Sequence, residues 1–214
     1  MQEFPTKLPR VLGLTGGIGA GKSTVARALL AMGIPVWSAD EAGRTAYVNS
    51  SELRDWIGER WGRNLLVFDQ AGNSVDVNRT ALGALAFEKP EILSELSSRI
   101  HPLVAAAFHD WYRAQAQRTT PPAWVVREAA ILFESGTDAD CYATVTVEAP
   151  LEERIERVMS RDGMKEQDVR KRIAHQWSSE ARMKRATYIL HNGSNTPILP
   201  QIQQLLVDLA VEEL

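Results

Sequence analysis

The sequence has little cysteine, no long apolar run and no large excess of charge of one sign. Cys141 is its one cysteine among 214 residues, which excludes an intramolecular disulfide and a cysteine-rich metal site. No segment reaches the roughly 18 apolar residues of a membrane-spanning helix, and the N-terminal residues MQEFPTKLPRVLGL contain no long apolar stretch ahead of a small-residue cleavage site. The formal charge of −3 argues against a nucleic-acid-binding protein that relies on bulk positive charge. We therefore expect a cytoplasmic protein with neither a membrane nor a nucleic acid as partner.

Hydrophobic residues make up 44% of the sequence, an ordinary share that is enough for a sizeable core. Glycine and charge, however, are distributed unevenly along the chain. Five of the 14 glycines lie between positions 13 and 21. The segment 154–185 holds ten Lys/Arg against five Asp/Glu, a local charge of +5, whereas the remainder, with 14 against 22, carries −8. The basic segment is either a solvated helical face with ion pairs or an anion-binding site.

The first 48 residues alternate between strand and helix patterns. Apolar residues at 11–14 predict a buried strand, helix formers at 23–32 predict a helix that stops at Gly33, and 34–37 predict a second strand. Asp40 then stands where a helix N-cap is expected. This order is typical of an α/β fold with a parallel sheet.

Residues 49–120 have a different pattern and predict a helical insertion between strands of that sheet. Its expected helices cover 53–61, a segment capped by Asn78, 92–100, and a separate helix with Pro102 in its first turn, while 64–77 is rich in turn residues. The sheet resumes with strands at 123–126, 144–147 and 188–190, and helices are expected from Pro150, over 168–177 and over 198–209. The predicted core thus comprises 1–48 and 121–214, around the insertion 49–120.

The clustered glycines belong to a phosphate-binding pattern. Residues 16–23, GGIGAGKS, match G-x-x-x-x-G-K-[ST] between a predicted strand and a predicted helix. Glycines let the backbone turn its N–H groups toward an anion, and the following helix adds its positive N-terminal end. Lys22 is expected to reach the β- and γ-phosphates, and Ser23 to hold Mg²⁺. The residues expected to bind ATP here are Gly17, Gly19, Ala20, Gly21, Lys22, Ser23 and Thr24.

Such a loop binds a nucleotide without specifying the reaction. A GTPase-type switch is disfavoured because the sequence has no N-K-x-D string for guanine. A motor or assembly ATPase usually needs a longer chain and a clear acidic strand end. A small-molecule kinase needs an acceptor site and arginines over the phosphates, which the insertion and the basic segment 154–185 can supply.

The ensemble of motifs resembles the dephospho-coenzyme A kinase family over almost the whole chain. The motifs are GLTGGIGAGKSTVA, the Ala39-Asp40 pair with Arg44, Arg79 with Leu82, Phe87, His101-Pro102, the segment 131–134, Arg154, Arg157, Arg161-Asp162, Arg172-Ile173 with Gln176, and Asn192-Gly193. The resemblance implies a P-loop nucleoside-kinase-like parallel sheet flanked by helices, a helical substrate-binding domain and a small lid at about 152–180. It also implies transfer of the ATP γ-phosphate to the 3′-hydroxyl of dephospho-CoA, the last step of coenzyme A synthesis.

The predicted roles of individual residues follow from this resemblance and from their chemistry. Asp40, just after the second strand, can accept the hydroxyl proton or hold Mg²⁺, and its alternative is a plain helix cap. Arg44, Arg79 and His101 are candidates for acceptor binding, and each also has a structural alternative. Arg154, Arg157 and Arg161 follow one another at intervals of three and four residues, a spacing that places side chains on one face of a helix. Of the lid residues, Arg161 is predicted closest to the phosphates as a catalytic group, and Arg157 with Asn192 is predicted to bind ATP.

One departure from the family leaves alternatives open. The family often has Asp-Ala-Asp after the second strand, where this chain has Ser38-Ala39-Asp40. Asp40 is then the one carboxylate at that turn. The alternatives are a kinase of the same architecture acting on another nucleoside or nucleotide, and a regulatory protein that binds ATP without transferring phosphate. The expected association state is a monomer or a weak homo-oligomer.

Overall fold

The computed structural model describes residues 8–211, which form two compact units. One unit combines the described residues up to Ser38 with those from Arg113 onward, and the other is Ala39–Tyr112. The strands are β1 (Arg10–Gly16), β2 (Val36–Ser38), β3 (Leu66–Phe68), β4 (Ser74–Val77), β5 (Trp124–Glu128), β6 (Ala143–Glu148) and β7 (Tyr188–His191). The helices are α1 (Lys22–Ala31), α2 (Ala39–Asn49), α3 (Ser51–Trp61), α4 (Arg79–Glu88), α5 (Pro90–Ala116), α6 (Leu151–Asp162), α7 (Glu166–Ala174), α8 (Ser179–Arg185) and α9 (Ile198–Val211).

The first unit is built on a five-stranded parallel sheet in the order β2-β5-β1-β6-β7. Because helices cover the sheet, β1 is buried beyond Arg10 and β6 is buried along its whole length, including its polar residues Thr144, Thr146 and Glu148. Leu12 and Leu14 of β1 and Val145 of β6 are fully buried in a core that also receives α1 and α9. The predicted α/β parallel sheet is confirmed.

The register of the sheet brings three strand ends to one edge. Glu128, the last residue of β5, lies level with Leu14 of β1 and with Ser38 of β2. In parallel sheets, ligands bind at the carboxyl ends of the strands. The loop that follows β1 and the helix that follows β2 therefore both start from the ligand-binding edge.

The basic segment forms its own small apolar cluster. Ile155 and Val158 of α6 are buried against Val169 of α7. The helix predicted over 168–177 ends earlier than expected, because α7 stops at Ala174 and Ser178 then caps α8 by accepting from the Ala181 N–H. Most of the charged side chains behind the +5 of this segment are exposed or partly exposed, but Arg154 and Arg182 are buried.

The second unit, Ala39–Tyr112, packs its helices around a separate core with Leu53, Ile57 and Leu82 at its centre. Asn78 caps α4 as predicted, since its side chain accepts from the Ala81 N–H. The segment 64–77, predicted as turns, contains the antiparallel hairpin β3–β4 as well. The turn residues DQAGNS dominate this segment, and the short strands on either side of them were not predicted.

Two helix boundaries also differ from the sequence prediction. Pro102 does not begin a helix: it lies inside the 27-residue α5, although proline removes one backbone hydrogen bond at a cost of about 3 kcal/mol. Packing on both sides offsets that cost, since Leu96 and Phe108 are both buried. Asp40 is not an N-cap either, because α2 begins at Ala39 and places Asp40 in its first turn.

None of the helices in residues 8–211 combines the length and the apolar character required to cross a bilayer.

Candidate active site

The phosphate loop runs from the end of β1 into α1. Gly21 directly precedes α1 with φ of +96°, a left-handed conformation that glycine adopts without strain. Gly19, with φ of +78°, lies so close to the Arg154 carbonyl oxygen that a side chain there would collide with it. The N-terminal end of α1 carries partial positive charge, and the loop before it therefore suits a phosphate group.

Lys22, the first residue of α1, forms an ion pair that the sequence analysis missed. Its Nζ lies 2.8 Å from Glu128 Oε1, and the two side chains are 14% and 11% exposed. Glu128 ends β5 at the edge where β1 and β2 also end. The sequence does carry a signal for it: Glu128 is an acidic residue two positions after the predicted strand 123–126, and an acidic strand end was considered above only for motor proteins.

Side chains from the basic segment and from the end of β7 hold the backbone of the loop. Arg157 donates from Nη1 to the Gly19 carbonyl at 3.5 Å and from Nη2 to the Asn192 carbonyl at 2.9 Å. Asn192 in turn donates from Nδ2 to the Ala20 carbonyl at 2.8 Å. Two residues predicted to bind ATP are therefore in contact with the loop, although through its carbonyl oxygens.

Gln176 and Arg154 contact the loop at Ile18, and neither was predicted there. Gln176 Oε1 accepts from the Ile18 N–H at 2.8 Å, while its Nε2 donates to the Ala130 carbonyl at 3.4 Å. Arg154 donates from Nε to the Ile18 carbonyl at 2.9 Å. Their positions depend on the packing of α6 and α7, which a linear sequence does not display.

Arg161, predicted closest to the phosphates, lies at the C-terminal end of α6 and binds its neighbour. Its Nε is 2.7 Å from Asp162 Oδ1, and its side chain is 61% exposed. The hydrogen bond from Arg161 lowers the pKa of Asp162 and raises that of the arginine. In this arrangement Arg154 and Arg157 face the loop, and Arg161 faces Asp162.

A buried ion pair anchors α8 to the sheet. Glu148 at the end of β6 accepts from Arg182 Nε and Nη2, both at 2.8 Å, and from the hydroxyls of Thr146 and Ser179 at 2.7 Å. Burial alone would raise the pKa of Glu148, but these donors outweigh it and lower the pKa below its ordinary value. Arg182 is 1% exposed and Glu148 is 4% exposed.

We predict that Arg182→Met lowers the free energy of unfolding by about 3–5 kcal/mol, because the Glu148 carboxylate would stay buried without its partner. Urea unfolding at neutral pH measures this loss. Because the pKa of Glu148 is lowered, the pair stabilises the fold above the carboxyl's ordinary pKa and loses that contribution as pH falls through the lowered value. The difference in free energy of unfolding between Arg182→Met and the wild type should therefore become smaller in acid.

Arg170→Met is the matched control for this prediction. Arg170 is an arginine of α7 that is 44% exposed, and it binds Glu152 and Glu166 at the surface. Exposed ion pairs contribute about 1 kcal/mol at most. Equal, small losses in the two variants would show that burial of the Glu148 pair contributes nothing to stability.

The predicted acceptor residues lie in the second unit, on α2, α4 and α5. Asp40 is exposed in the first turn of α2, and Arg44 Nη1 lies 3.7 Å from Glu41 Oε2. Arg79 Nη2 donates to Asp76 Oδ2 at 2.7 Å, and His101 is exposed on α5. Arg79 also lines a cavity of about 300 Å³ within this unit. The other lining residues are Tyr47, Leu82, Gly83, Ala86, Leu93 and Leu96.

The side chains of Glu134 and Cys141 both contact backbone groups of neighbouring turns. Glu134 Oε1 accepts from the Trp177 N–H at 2.9 Å, in the turn between α7 and α8. Cys141 is half-buried, with its Sγ 3.6 Å from the Thr137 carbonyl, and burial raises the pKa of its thiol to about 12.

We predict that Cys141 of the folded protein reacts with a thiol reagent at pH 8 at least about 100-fold more slowly than an unhindered thiol, because the thiolate is the reactive form. Dithionitrobenzoate titration before and after unfolding in urea measures the difference. Equally fast reaction in both states would contradict a protected thiol.

The donor set suits Mg²⁺ better than a metal that requires a protein cage. Across residues 8–211, no three His, Cys, Asp or Glu side chains come together as a metal site. Mg²⁺ typically keeps several waters and takes one or two protein oxygens with substrate phosphates. The hydroxyl of Ser23, in the first turn of α1, and the Glu128 carboxylate at the neighbouring strand end are oxygen donors of that kind.

The parallel sheet, the glycine-rich loop between β1 and α1, and the lysine and serine at the start of α1 define a P-loop kinase fold. The family model for dephospho-CoA kinase matches residues 10–197. Dephospho-CoA kinases of Chlorobium luteolum and Deinococcus radiodurans are 36% and 37% identical to this chain. The first alignment covers 95% of this chain and 92% of its relative, and the second covers 86% and 84%. The chain therefore belongs to the dephospho-CoA kinase family.

Solved structures agree with the fold. A crystal structure of a protein from Thermus thermophilus superposes with a TM-score of 0.78 at 32% identity, covering 96% of this chain and 98% of the other. The dephospho-CoA kinase from Campylobacter jejuni gives a TM-score of 0.64 at 23% identity, covering 94% and 96%.

Proposed function

We propose that this chain transfers the γ-phosphoryl group of ATP to the 3′-hydroxyl of the ribose of dephospho-CoA, giving CoA and ADP. The observation that carries the proposal is family membership over residues 10–197 together with an intact phosphate loop. In phosphoryl transfer the protein mainly positions the two substrates and stabilises charge on the transferring group, and it takes little part in covalent chemistry. Gly17 to Thr24 are proposed to hold the ATP phosphates on the loop and the first turn of α1.

The proposed division of labour follows the chemistry of each side chain. Lys22 would bring positive charge to the β- and γ-phosphates. Ser23 would hold Mg²⁺, which neutralises charge on the transferring group, and Glu128 is a further oxygen donor for it. Asp40 is the proposed base for the acceptor hydroxyl, two residues beyond the strand end at Ser38, and stays a candidate for the metal as well.

Glu128 offers a carboxylate beside Ser38, the position where the family often has an aspartate. The sequence suggested that this edge had lost a carboxylate, which favoured a regulatory protein without phosphate transfer. Ser38 and Glu128 lie level on β2 and β5, and the Glu128 carboxylate binds Lys22. An acidic group is thus available at the same edge, and the regulatory alternative loses the feature that supported it.

The acceptor is proposed to bind through the second unit, with Arg44, Arg79 and His101 as its ligands. The cavity beside Arg79 has mainly apolar lining residues and one guanidinium at its wall, as a ligand with both apolar and anionic parts requires. Arg157, Asn192 and Arg161 are proposed to act on the ATP side, with Arg161 needing to leave Asp162 to do so. A cytoplasmic location and a monomeric or weakly associated state stay predictions.

One assay tests the proposal. Purified protein is incubated with Mg·ATP and dephospho-CoA, and the products are identified by mass spectrometry, with CoA and ADP in equal amounts as the expected result. ADP formed with another nucleoside or nucleotide, and no CoA, would favour a different acceptor. ATP binding without turnover on any acceptor would favour the regulatory alternative.

A further inference from the structure

Arg154 is a buried arginine packed against the phosphate loop. It lies in the first turn of α6, with 4% of its surface exposed. Its Nε donates to the Ile18 carbonyl at 2.9 Å. The rest of its guanidinium lies over Gly17, where a side-chain carbon would come within 2.6 Å of Arg154 Cζ. The absence of a side chain at Gly17 is therefore what allows the guanidinium to reach the loop.

One donor of this guanidinium is unused. Within residues 8–211, Arg154 Nη2 has no hydrogen-bond partner and is closed to water. Arg182, its neighbour beside Gly17, directs Nε and Nη2 to Glu148, and both carboxylate oxygens of Glu148 also accept from hydroxyls. Burial and the charge of Arg182 lower the pKa of Arg154, and Glu148 offsets this only in part.

The other arginines of α6 have partners for their charge. Arg157 binds Glu153 at 2.8 Å as well as the loop carbonyls, and Arg161 binds Asp162. Leaving a buried charged donor unsatisfied is costly, and buried polar groups in proteins are almost always paired. A buried, positively charged donor beside a phosphate-binding loop is best satisfied by an anionic oxygen.

We propose that Arg154 is a phosphate-binding residue whose Nη2 donates to a phosphate oxygen of the nucleotide held on the loop. The inference rests on the proposed function only in taking ATP as that nucleotide. Because Nη2 is covered in this arrangement, a small displacement of Gly17 or of α6 admits the oxygen. Nε continues to hold the Ile18 carbonyl, so one guanidinium fixes the loop and binds its ligand.

Glutamine separates these two roles. In Arg154→Gln the side-chain amide nitrogen falls where Nε stood, so the hydrogen bond to Ile18 can persist while the charge and Nη2 are lost. Isothermal titration with ATP and with inorganic tripolyphosphate measures phosphate affinity, and the melting temperature reports the fold. We expect Kd to rise about tenfold for both ligands, which is about 1.4 kcal/mol, with an unchanged melting temperature.

Arg170→Gln is the control, since it removes the same charge from an exposed position on α7. It should leave both Kd values unchanged. Wild-type Kd values in Arg154→Gln would overturn the proposal, and so would equal losses in the two variants, which would indicate a long-range field. If Arg154→Gln does not fold, Arg154→Met replaces it: methionine has neither a charge nor a hydrogen-bond donor for a phosphate, so an unchanged Kd there also overturns the proposal.

The titration contains no dephospho-CoA. An unchanged Kd in Arg154→Gln would therefore contradict only the role of Arg154, and the proposed phosphate transfer to dephospho-CoA would still be tested by the acceptor assay. Failure to form CoA, in turn, would leave the binding result standing.

Discussion

Lys22→Ala is expected to lower kcat for CoA formation roughly 1,000-fold, the upper range for losing one group that stabilises charge in the transition state. Lys22 is held at the start of α1 by its 2.8 Å contact with Glu128 Oε1, so its ammonium is already at the loop before a nucleotide arrives. Initial rates of CoA formation at saturating ATP measure the effect.

Two controls separate the loss of the lysine charge from damage to the fold. Lys171→Ala removes a lysine of α7 that is 53% exposed and 3.8 Å from Asp168, and it should turn over like the wild type. The melting temperature of Lys22→Ala shows whether the unpaired Glu128 carboxylate destabilises the protein. A folded Lys22→Ala variant with kcat within tenfold of the wild type would exclude Lys22 from the chemistry.

Asp40→Asn is expected to reduce kcat at least about 100-fold while leaving the Kd for ATP within a factor of about two. General-base catalysis contributes roughly 10²- to 10⁴-fold, and asparagine keeps the size of aspartate without accepting a proton. ATP affinity should hold because the proposed ATP contacts lie on the loop, on α1 and α6 and at Asn192, and none of them lies on α2. Steady-state rates and titration with ATP measure the two quantities separately.

Glu41→Gln is the matched control, because Glu41 is the adjacent carboxylate on α2 and is 64% exposed. Its loss should change kcat by no more than about twofold, since only one carboxylate is assigned to the proton. A wild-type kcat in Asp40→Asn would rule Asp40 out as the base. A raised Kd for ATP with little change in kcat would instead make Asp40 a binding residue.

The fold was largely predictable because its signals are local. The run at the start of β1, the glycines of the loop and the helix formers of α1 follow one another within about 20 residues, and the predicted parallel sheet is confirmed. One wrong prediction came from competition between a local preference and packing. Pro102 has a local preference for a first turn, yet burial of Leu96 and Phe108 carries α5 through it.

The site was predictable only in part. Lys22, Arg157 and Asn192 lie on or against the loop, whereas Arg161 points to Asp162. Glu128 is 106 residues from its partner Lys22, a separation at which spacing along the chain carries no information. The roles assigned to Asp40, Arg44, Arg79 and His101 stay predictions that the variants and the acceptor assay test.

The sequence by itself determined the phosphate loop, the parallel sheet and the family, because glycine conformations, apolar periodicity and ordered motifs are properties of neighbouring residues. Tertiary structure decided which of the charges in the basic segment meets the loop. Arg154 and Arg161 both lie on α6, two turns apart. The first turn of α6 packs Arg154 against Gly17, whereas Arg161 in the last turn is exposed to solvent. Burial distinguishes the two arginines, and burial depends on contacts between residues that lie far apart along the chain.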